Sequence, residues 1–422
     1  MPDRIRAIAL IDGEHYPPVV RDALQELPYD VVSAVLVGGV EKLRGVLDYG
    51  VPLSDGLDEA IERHAPDIVV DLSDEPVLGP VERFRLASRV LARGLAYVGA
   101  DFRLDPPTQQ PFPLRSLAVI GTGKRVGKTA LTGHIARLVA RHLRPVVVAM
   151  GRGGPPDPEI IRVAPTLDGL VELSRSGRHA ASDHLETAAL AGVETIGCRR
   201  CGGGLAGAVY TSNVAEGARL AVELAPDLVI FDGSGAALPP IATDRRVVAV
   251  GAHQHPDVVV GFLNAYRLLL ADVVVLTLAE RESGWESVAE AVSGAVRDGV
   301  QVVPTVLRPR PMSDVGGGRV AYFCTAPSRA HDTLAEHLAS EYGADVVHVS
   351  GNLANRDALR VELETLEADI YLVELKAAAI DVIAEGALGR GAEVVLATND
   401  VVSLQPEREL DEILLEMAGI HA

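Results

Sequence analysis

Residues 117–129 read Leu117-Ala-Val-Ile-Gly-Thr-Gly-Lys-Arg-Val-Gly-Lys-Thr129, an apolar run that breaks into a glycine-rich turn. The run is strand-like, and the alanine-rich segment 130–138 that follows is typical of a helix. Glycines at such a turn let backbone N–H groups converge on phosphate oxygens, and the new helix points the positive end of its dipole at them. The sequence therefore predicts a phosphate-binding loop (P-loop) over residues 121–129.

Lysine is rare in this chain, which has four lysines against 35 arginines. Two of the four, Lys124 and Lys128, lie in the predicted loop, and both are candidate catalytic residues. We expect Lys128 to reach the β- and γ-phosphates of ATP and the Thr129 hydroxyl to ligate Mg²⁺. Five residues, not the usual four, separate Gly121 from Gly127. The residues expected to bind ATP are Thr122, Gly123, Lys124, Arg125, Val126, Gly127, Lys128, Thr129 and Ala130.

Carboxylates follow two other strand-like runs. The apolar run 228–231 ends in Asp232 and a Gly-Ser-Gly turn, and a carboxylate at the end of a strand is where a P-loop enzyme holds its metal. Asp157 or Glu159, after the run 146–150, is a candidate second metal ligand, and Arg152 in the same segment is a candidate phosphate contact. An ordinary proline- and glycine-rich loop is the alternative interpretation of this segment.

Paired arginines precede three glycines in the segment 196–207. Arg199 and Arg200 offer guanidinium forks beside a backbone that, at Gly202 and Gly203, can approach an anion closely. We interpret this segment as a loop that binds an anionic substrate, with a solvated flexible loop as the alternative. The Cys198-x-x-Cys201 pair lacks the second pair that a zinc site needs, so we expect reduced thiols.

Near the N-terminus, the run 5–11 breaks into a polar turn that contains Asp12, Glu14 and His15. We expect Glu14 and His15 to contact substrate there, although a structural turn is an equal alternative. Asp71 and the turn at Asp74-Glu75 form a similar but weaker pattern.

β-Branched runs alternate with alanine-rich amphipathic segments along the chain, a pattern typical of parallel sheets covered by helices. The predicted fold class is α/β, with a Rossmann-like N-terminal domain over 1–110 and a P-loop NTPase-type domain over 111–318. The segment 104–113 carries four prolines and reads as the linker between them. Residues 319–422 form a C-terminal α/β segment, either a separate domain or an extension of the P-loop sheet.

Composition narrows the range of functions. The formal net charge of −19 disfavours nucleic-acid binding, which needs a basic face. No apolar segment approaches the length needed to cross a bilayer, and the chain opens on a strand rather than a leader, so we expect a cytoplasmic protein without membrane contact.

Together these segments resemble the cyclic 2,3-diphosphoglycerate synthetase family. The resemblance covers nearly the whole chain and rests on Ile-Asp-Gly-Glu-His-Tyr16 and on the segments 121–129, 150–159, 198–204 and 231–240. The loop is also similar to that of dethiobiotin synthetase, whose Glu-Gly-Ala-Gly segment is matched here by Asp232-Gly-Ser-Gly. The family uses ATP to close 2,3-diphosphoglycerate into its cyclic pyrophosphate, releasing ADP and phosphate. The resemblance implies this reaction, with Mg²⁺, in a homodimer.

Two other functions share the loop. One is an ATP-dependent ligase of the dethiobiotin or cobyrinate synthetase type, which the long N-terminal domain fits poorly. The other is a non-enzymatic, partitioning-type nucleotide switch that binds a partner or DNA, and the acidic charge disfavours DNA.

Overall fold

The computed structural model describes residues 4–43, 48–176, 182–280, 283–375, 379–405 and 409–421. The chain forms two compact units. The N-terminal unit comprises Met1–Thr108, His255–Leu270 and Ala291–Asp298, and the larger unit comprises Gln109–Gln254, Ala271–Glu290 and Gly299–Ala422. The segments 255–270 and 291–298 thus fold with the N-terminal unit, a division that the sequence does not predict.

In chain order the strands are β1 Arg6–Ile11, β2 Asp30–Leu36, β3 Leu53–Ser54, β4 Ile68–Asp71, β5 Ala96–Val98, β6 Arg103–Leu104, β7 Ser116–Gly121, β8 Pro145–Gly151, β9 Glu159–Ile161, β10 Glu194–Cys201, β11 Thr211–Ser212, β12 Leu228–Asp232, β13 Arg245–Gly251, β14 Val273–Thr277, β15 Gln301–Pro311, β16 Arg319–Phe323, β17 Asp345–Ser350, β18 Ile370–Glu374 and β19 Glu393–Ser403. The helices are α1 Pro17–Glu26, α2 Leu57–His64, α3 Pro80–Ala92, α4 Lys128–Val139, α5 Leu167–Arg175, α6 Asp183–Ala191, α7 Val214–Leu224, α8 Pro256–Val260, α9 Asn264–Leu269, α10 Trp285–Ser293, α11 His331–Tyr342, α12 Arg356–Leu363, α13 Ile380–Leu388 and α14 Leu410–Met417. Short 3₁₀ helices span Val40–Lys42, Ser328–Ala330 and Asn352–Ala354.

The N-terminal unit is built on a sheet with the order β3-β2-β1-β4-β5-β6 within the described residues. All its neighbours are parallel except β6, which runs antiparallel to β5. Because β2 and β4 lie on opposite sides of β1, the chain changes direction there, and the turns after β1 and β4 meet at the carboxyl edge. That crevice is where open α/β sheets bind ligands.

The larger unit carries a sheet with the order β11-β10-β8-β12-β7-β13-β14-β15-β19-β18-β16-β17, with β9 paired to β10, in the part of the chain that the structure describes. Its central strands β8, β12, β7, β13 and β14 are parallel. The strands β7 and β12 are buried along their whole length, which explains their continuous apolar sequences. The predicted α/β fold class is confirmed.

The sheet continues through the proline-rich residues 308–311, inside the predicted P-loop domain. Pro309 and Pro311 lie in β15, which pairs antiparallel with β19 through Thr305–Pro311. Because β14 pairs only with 301–304, the other edge of 305–311 faces no strand among the described residues, and a proline costs little there. The strands β16, β17, β18 and β19 consequently share one sheet with β7, the strand before the P-loop.

The P-loop helix α4 is packed between the sheet and the end of the chain. Its Leu131, Ile135 and Leu138 belong to the same buried apolar cluster as Leu410 and Leu414 of α14. The C-terminal segment therefore supplies part of the core that holds α4.

Candidate active site

The loop between β7 and α4 has a backbone that only a few residue types adopt easily. Gly127, which precedes α4, has φ +73°, and Arg125 has φ +59°, an uncommon value for a residue with a side chain. The Thr277 hydroxyl donates a hydrogen bond to the Val126 carbonyl at 2.9 Å and so anchors the turn to β14. The loop therefore has a fixed shape, and α4 begins at Lys128.

The Lys128 side chain turns back over the end of β7. A Cβ placed on Gly121 would lie 2.8 Å from Lys128 Cδ, so only glycine leaves room for this path. The lysine stem thus lies across the start of the loop, as phosphate binding requires. Lys124 and Arg125 are exposed, and Thr129 is half-buried as the second residue of α4.

Asp232 ends β12, the strand between β8 and β7. Its carboxyl group is almost completely buried, with 2% exposure, and its Oδ1 has no hydrogen-bond partner among the described residues. Burial raises the pKa of Asp232 and the charge of Asp183 adds to this effect, whereas Lys128 and Thr132 oppose it; the resulting pKa is about 7. A buried carboxylate oxygen with no donor beside a lysine is suited to bind a cation.

Asp183 is the site residue that the sequence reasoning missed. It is the first residue of α6, and its Oδ2 lies 3.5 Å from the position of a Cβ on Gly151, at the end of β8. Its charge acts on both Asp232 and Arg200. The pattern Ser182-Asp-His-Leu-Glu186 resembles a helix-start signature and could have flagged the position, but nothing in the sequence links it to the P-loop.

The residues present fit a magnesium ion. Thr129 offers a hydroxyl in the first turn of α4, the Asp232 carboxylate interacts with Lys128 there, and Asp183 interacts in turn with Asp232. Mg²⁺ binds few protein ligands because phosphate and water oxygens complete its shell. Among the described residues no group of three or more His, Cys, Asp or Glu side chains forms a closed metal cage. Asp157 is exposed, and Glu159 lies in β9 with its Oε2 4.0 Å from His184 Nε2.

Arg199 and Arg200 lie in the last part of β10, not in a loop, because β10 pairs with β8 as far as Arg199 and Gly151. Alternation along the strand separates the two side chains: Arg199 is exposed, whereas Arg200 is half-buried. Arg200 Nη2 donates to the Ser234 carbonyl at 2.8 Å, and Arg200 Nη1 donates to the Gly202 carbonyl at 2.9 Å.

Arg152 joins Arg200 beside the turn that follows Asp232. A Cβ on Gly235, which has φ +62°, would lie 3.1 Å from Arg152 Nη2 and 3.5 Å from Arg200 Nη2. Burial and the charge of Arg152 lower the pKa of Arg200, and its buried Nε has no hydrogen-bond partner in the part of the chain that the structure describes. Two guanidinium groups thus converge on one backbone turn, an arrangement suited to an anion. Gly202 has φ +74° and lies against Tyr210, and Gly203 lies beside Arg200.

The chain matches the models of three domains of one family. The N-terminal domain of cyclic 2,3-diphosphoglycerate synthetase matches residues 6–105, the P-loop domain matches 116–306, and the C-terminal domain matches 311–400. The cyclic 2,3-diphosphoglycerate synthetase of Rubrobacter xylanophilus is 50% identical over 433 residues, which cover 98% of this chain and 97% of that protein. The chain belongs to the cyclic 2,3-diphosphoglycerate synthetase family.

A second relative of this chain carries the same name. The protein of the same name from Methanothermus fervidus is 41% identical over 443 residues, covering 98% of this chain and 96% of that protein. A solved structure of LpxK from Aquifex aeolicus in complex with ATP has 15% sequence identity and a TM-score of 0.42, covering 74% of this chain and 90% of that one.

In the domain that matches the family's N-terminal model, Asp12 organises a turn. Its Oδ1 accepts hydrogen bonds from the backbone N–H groups of Glu14 and His15 and lies 2.8 Å from His15 Nδ1, while Oδ2 accepts from Asp74 N–H. The backbone bond from Asp74 and the contacts with His15 lower the pKa of Asp12, although burial opposes them. Asp12 therefore holds the turns after β1 and β4 together, and Glu14 and His15 are more exposed.

Asp71 is held in the same way. It accepts hydrogen bonds from Arg83 Nε at 2.8 Å and from the Tyr97 hydroxyl at 2.6 Å. The carboxylate of Asp71 therefore has a structural role, and Arg83 forms a second ion pair with Glu75.

The two neighbouring cysteines, Cys198 and Cys201, differ in burial. Cys198 is buried against Gly217 of α7, and burial raises the pKa of its thiol to about 12, whereas Cys201 is exposed. Residues i and i+3 of a strand face opposite sides, so the pair does not converge.

Proposed function

We propose that this protein uses ATP to close 2,3-diphosphoglycerate into cyclic 2,3-diphosphoglycerate, with release of ADP and phosphate. The family membership supports the reaction, and the site supports its chemistry because two separate sets of anion-binding groups flank one carboxylate pair. Lys128 and the backbone of the loop form the first set, for ATP. Arg152 and Arg200 form the second, for the phosphates of the substrate.

The reaction brings strongly charged anions together, so the protein must neutralise and position them rather than supply a strong base. In the first step an oxygen of one substrate phosphate attacks the γ-phosphorus of ATP, and the bond to ADP breaks. In the second step an oxygen of the neighbouring phosphate attacks the substrate phosphorus so activated. Its bond to the terminal phosphate breaks, orthophosphate leaves, and the ring closes.

The guanidinium group of Arg200 is already oriented to bind a substrate phosphate. Its Nη2 and Nη1 are held by the carbonyls of Ser234 and Gly202, and its buried Nε has no partner within the described ranges. The fixed guanidinium plane loses little conformational freedom when an anion binds, and Arg152 adds a second charge. Arg199, exposed on the other face of β10, is the weaker candidate. Glu14 and His15 of the N-terminal unit remain proposed substrate contacts.

Thr129, Asp232 and Asp183 would hold Mg²⁺. The ion would supply charge neutralisation between the β- and γ-phosphates. Asp183 is preferred to Asp157 as the second carboxylate because its charge acts on Asp232. Lys124, exposed on the loop, is proposed to assist Lys128 once ATP is bound.

We further propose that the protein works as a homodimer in the cytoplasm, where ATP is available, without nucleic acid or membrane partners. No helix in the described ranges is both long and apolar enough to cross a membrane. Light scattering coupled to gel filtration tests the dimer.

The reaction is tested by measuring orthophosphate release with Mg-ATP and two substrates. We expect release to depend on 2,3-diphosphoglycerate and to be absent with 3-phosphoglycerate, which has no second phosphate to displace the transferred phosphate. Equal orthophosphate release with both compounds, or without either, would instead favour the nucleotide switch.

A further inference from the structure

Gln254 lies against the P-loop, although neither the loop motif nor the metal site includes it. It ends a turn after β13, the strand on the other side of β7 from Asp232. The backbone N–H of Gln254 donates to the Gly251 carbonyl at 3.0 Å, which closes the turn. The side chain therefore projects from a fixed backbone position at the carboxyl edge of the sheet.

Two donors fix the orientation of the Gln254 amide. Gln254 Oε1 accepts a hydrogen bond from the Thr122 hydroxyl at 2.7 Å and a second from the Gly251 N–H at 3.3 Å. Because both are donors, the atom that they share must be the amide oxygen. The NH₂ group is then left on the opposite side.

The NH₂ group lies over the loop. Gln254 Nε2 is 3.4 Å from the position that a Cβ on Gly123 would occupy. Gly123 is the glycine between Thr122 and Lys124 in the segment that would wrap the phosphates. Nε2 has no hydrogen-bond acceptor within the described part of the chain, so a donor that its own turn holds in place lies beside the loop at Gly123.

The loop at Thr122 is itself fastened to β13. Thr122 N–H donates to the Ala249 carbonyl at 3.2 Å, and Thr122 is buried. The hydroxyl of Thr122 therefore cannot swing out to the phosphates without giving up the amide of Gln254. Thr122 therefore supports Gln254, and the Nε2 group of Gln254 is the donor left available at the loop.

We propose that Gln254 Nε2 donates a hydrogen bond to the transferred γ-phosphoryl group of ATP and strengthens that bond as negative charge builds on its oxygens. A preorganised neutral donor of this kind stabilises a transition state more than a ground state because it needs no reorientation. The proposal rests on the proposed function in one respect, since 2,3-diphosphoglycerate is taken as the acceptor of that group. Thr122 is a positioning residue in this arrangement.

The test compares two ligands on the full chain, Mg-ADP alone and Mg-ADP with aluminium fluoride, which mimics the transferred phosphoryl group. Gln254→Glu keeps the oxygen that Thr122 and Gly251 require and removes the donor, and Gln254→Met removes it without adding charge. Gln301→Glu is the matched control, because Gln301 is exposed and lies at the amino end of β15, whereas Gln254 lies at the carboxyl edge of the sheet. Calorimetry gives both affinities, and thermal unfolding reports on the fold.

For both Gln254 variants we expect Mg-ADP affinity within threefold of wild type and aluminium fluoride complex affinity lower by about tenfold or more. The control should change neither. Thr122→Val should weaken the aluminium fluoride complex less than additively with Gln254→Glu, because the two residues act as a unit. Equal losses for both ligands would make Gln254 a brace of the loop, and no loss would remove it from the site; either result overturns the proposal.

The outcome is separable from that of the proposed function. Wild-type protein that binds the aluminium fluoride complex through Gln254 but never cyclises 2,3-diphosphoglycerate would contradict the proposed substrate and leave the role of Gln254 standing. Normal cyclisation by both Gln254 variants, with unchanged kcat, would contradict the role of Gln254 and leave the proposed substrate standing.

Discussion

His134 Nε2 lies 2.7 Å from Asp411 Oδ1, so the P-loop helix is bonded to the last helix of the chain. His134 is in α4, six residues after Lys128, and Asp411 is the second residue of α14. The hydrogen bond with His134 lowers the pKa of Asp411, helped by the charges of His134 and Arg141 and opposed by burial. The C-terminal segment thereby supports the helix that presents Lys128.

Removing this bond should cost modest stability. For Asp411→Ala we expect the free energy of unfolding to fall by about 0.5–1 kcal/mol, since the Asp411 side chain is 44% exposed and solvent screens the pair. The contribution is present above the ordinary carboxyl pKa of 3.8 and is lost as pH falls through the lower folded value. Urea unfolding at pH 7 and below pH 4 measures it. A wild-type and variant difference that stays the same at both pH values would contradict this account.

We expect Asp232 to lower the stability of the metal-free protein while providing a ligand for the metal. Its folded pKa of about 7 exceeds the ordinary value of 3.8, so between these values the folded state keeps a proton that the unfolded state has released. Stability therefore falls as pH rises through this window, and Asp232→Asn should make the metal-free protein more stable at pH 8 by a few kcal/mol.

The same substitution should abolish the stabilisation that Mg²⁺ adds to the ADP complex, and turnover with it. In wild type, Mg²⁺ affinity should rise between pH 6 and 8 as Asp232 loses its proton. Urea unfolding with and without Mg-ADP checks both effects. If Asp232→Asn leaves Mg²⁺ stabilisation intact, another carboxylate holds the ion.

Much of the fold could be predicted from sequence because central parallel strands need continuous apolar runs. The runs at 117–120 and 228–231 and the glycines of the loop are local signals, and each lies where the pattern indicates. The strand β10 was missed because Cys198-Arg-Arg-Cys201 has no apolar alternation, and its strand conformation comes from pairing with β8. Asp183 reaches the site only through the placement of α6, which no local pattern encodes.

Lys128→Ala should lower turnover by at least about a hundredfold, because we propose that the ammonium group of Lys128 contacts the phosphates of ATP. The fold should survive, since the side chain is half-buried over Gly121 and is not part of a core cluster. Lys124→Ala, at the exposed lysine of the same loop, measures how much of the effect is particular to position 128. Near-normal turnover in Lys128→Ala with an unchanged unfolding temperature would reject the P-loop assignment.

Substitutions of the two arginines of β10 should have different effects on the KM for 2,3-diphosphoglycerate. For Arg200→Ala and Arg152→Ala we expect the KM for 2,3-diphosphoglycerate to rise about tenfold or more, which is the loss of a charge-assisted phosphate contact, while the KM for ATP changes little. Arg199→Ala, exposed on the other face of β10, is the control and should change the first KM less than threefold. Loss of ATP affinity in place of substrate affinity would assign Arg152 and Arg200 to the nucleotide.

The most direct test of the account is ³¹P NMR of the protein with Mg-ATP and 2,3-diphosphoglycerate, with Lys128→Ala as the inactive control. Cyclisation predicts that both monoester resonances of the substrate disappear together and are replaced by signals in the pyrophosphate range. ADP and orthophosphate should appear in equal amounts to the cyclic product, and none of these changes should occur with Lys128→Ala. ATP hydrolysis that leaves both monoester resonances unchanged would contradict the account.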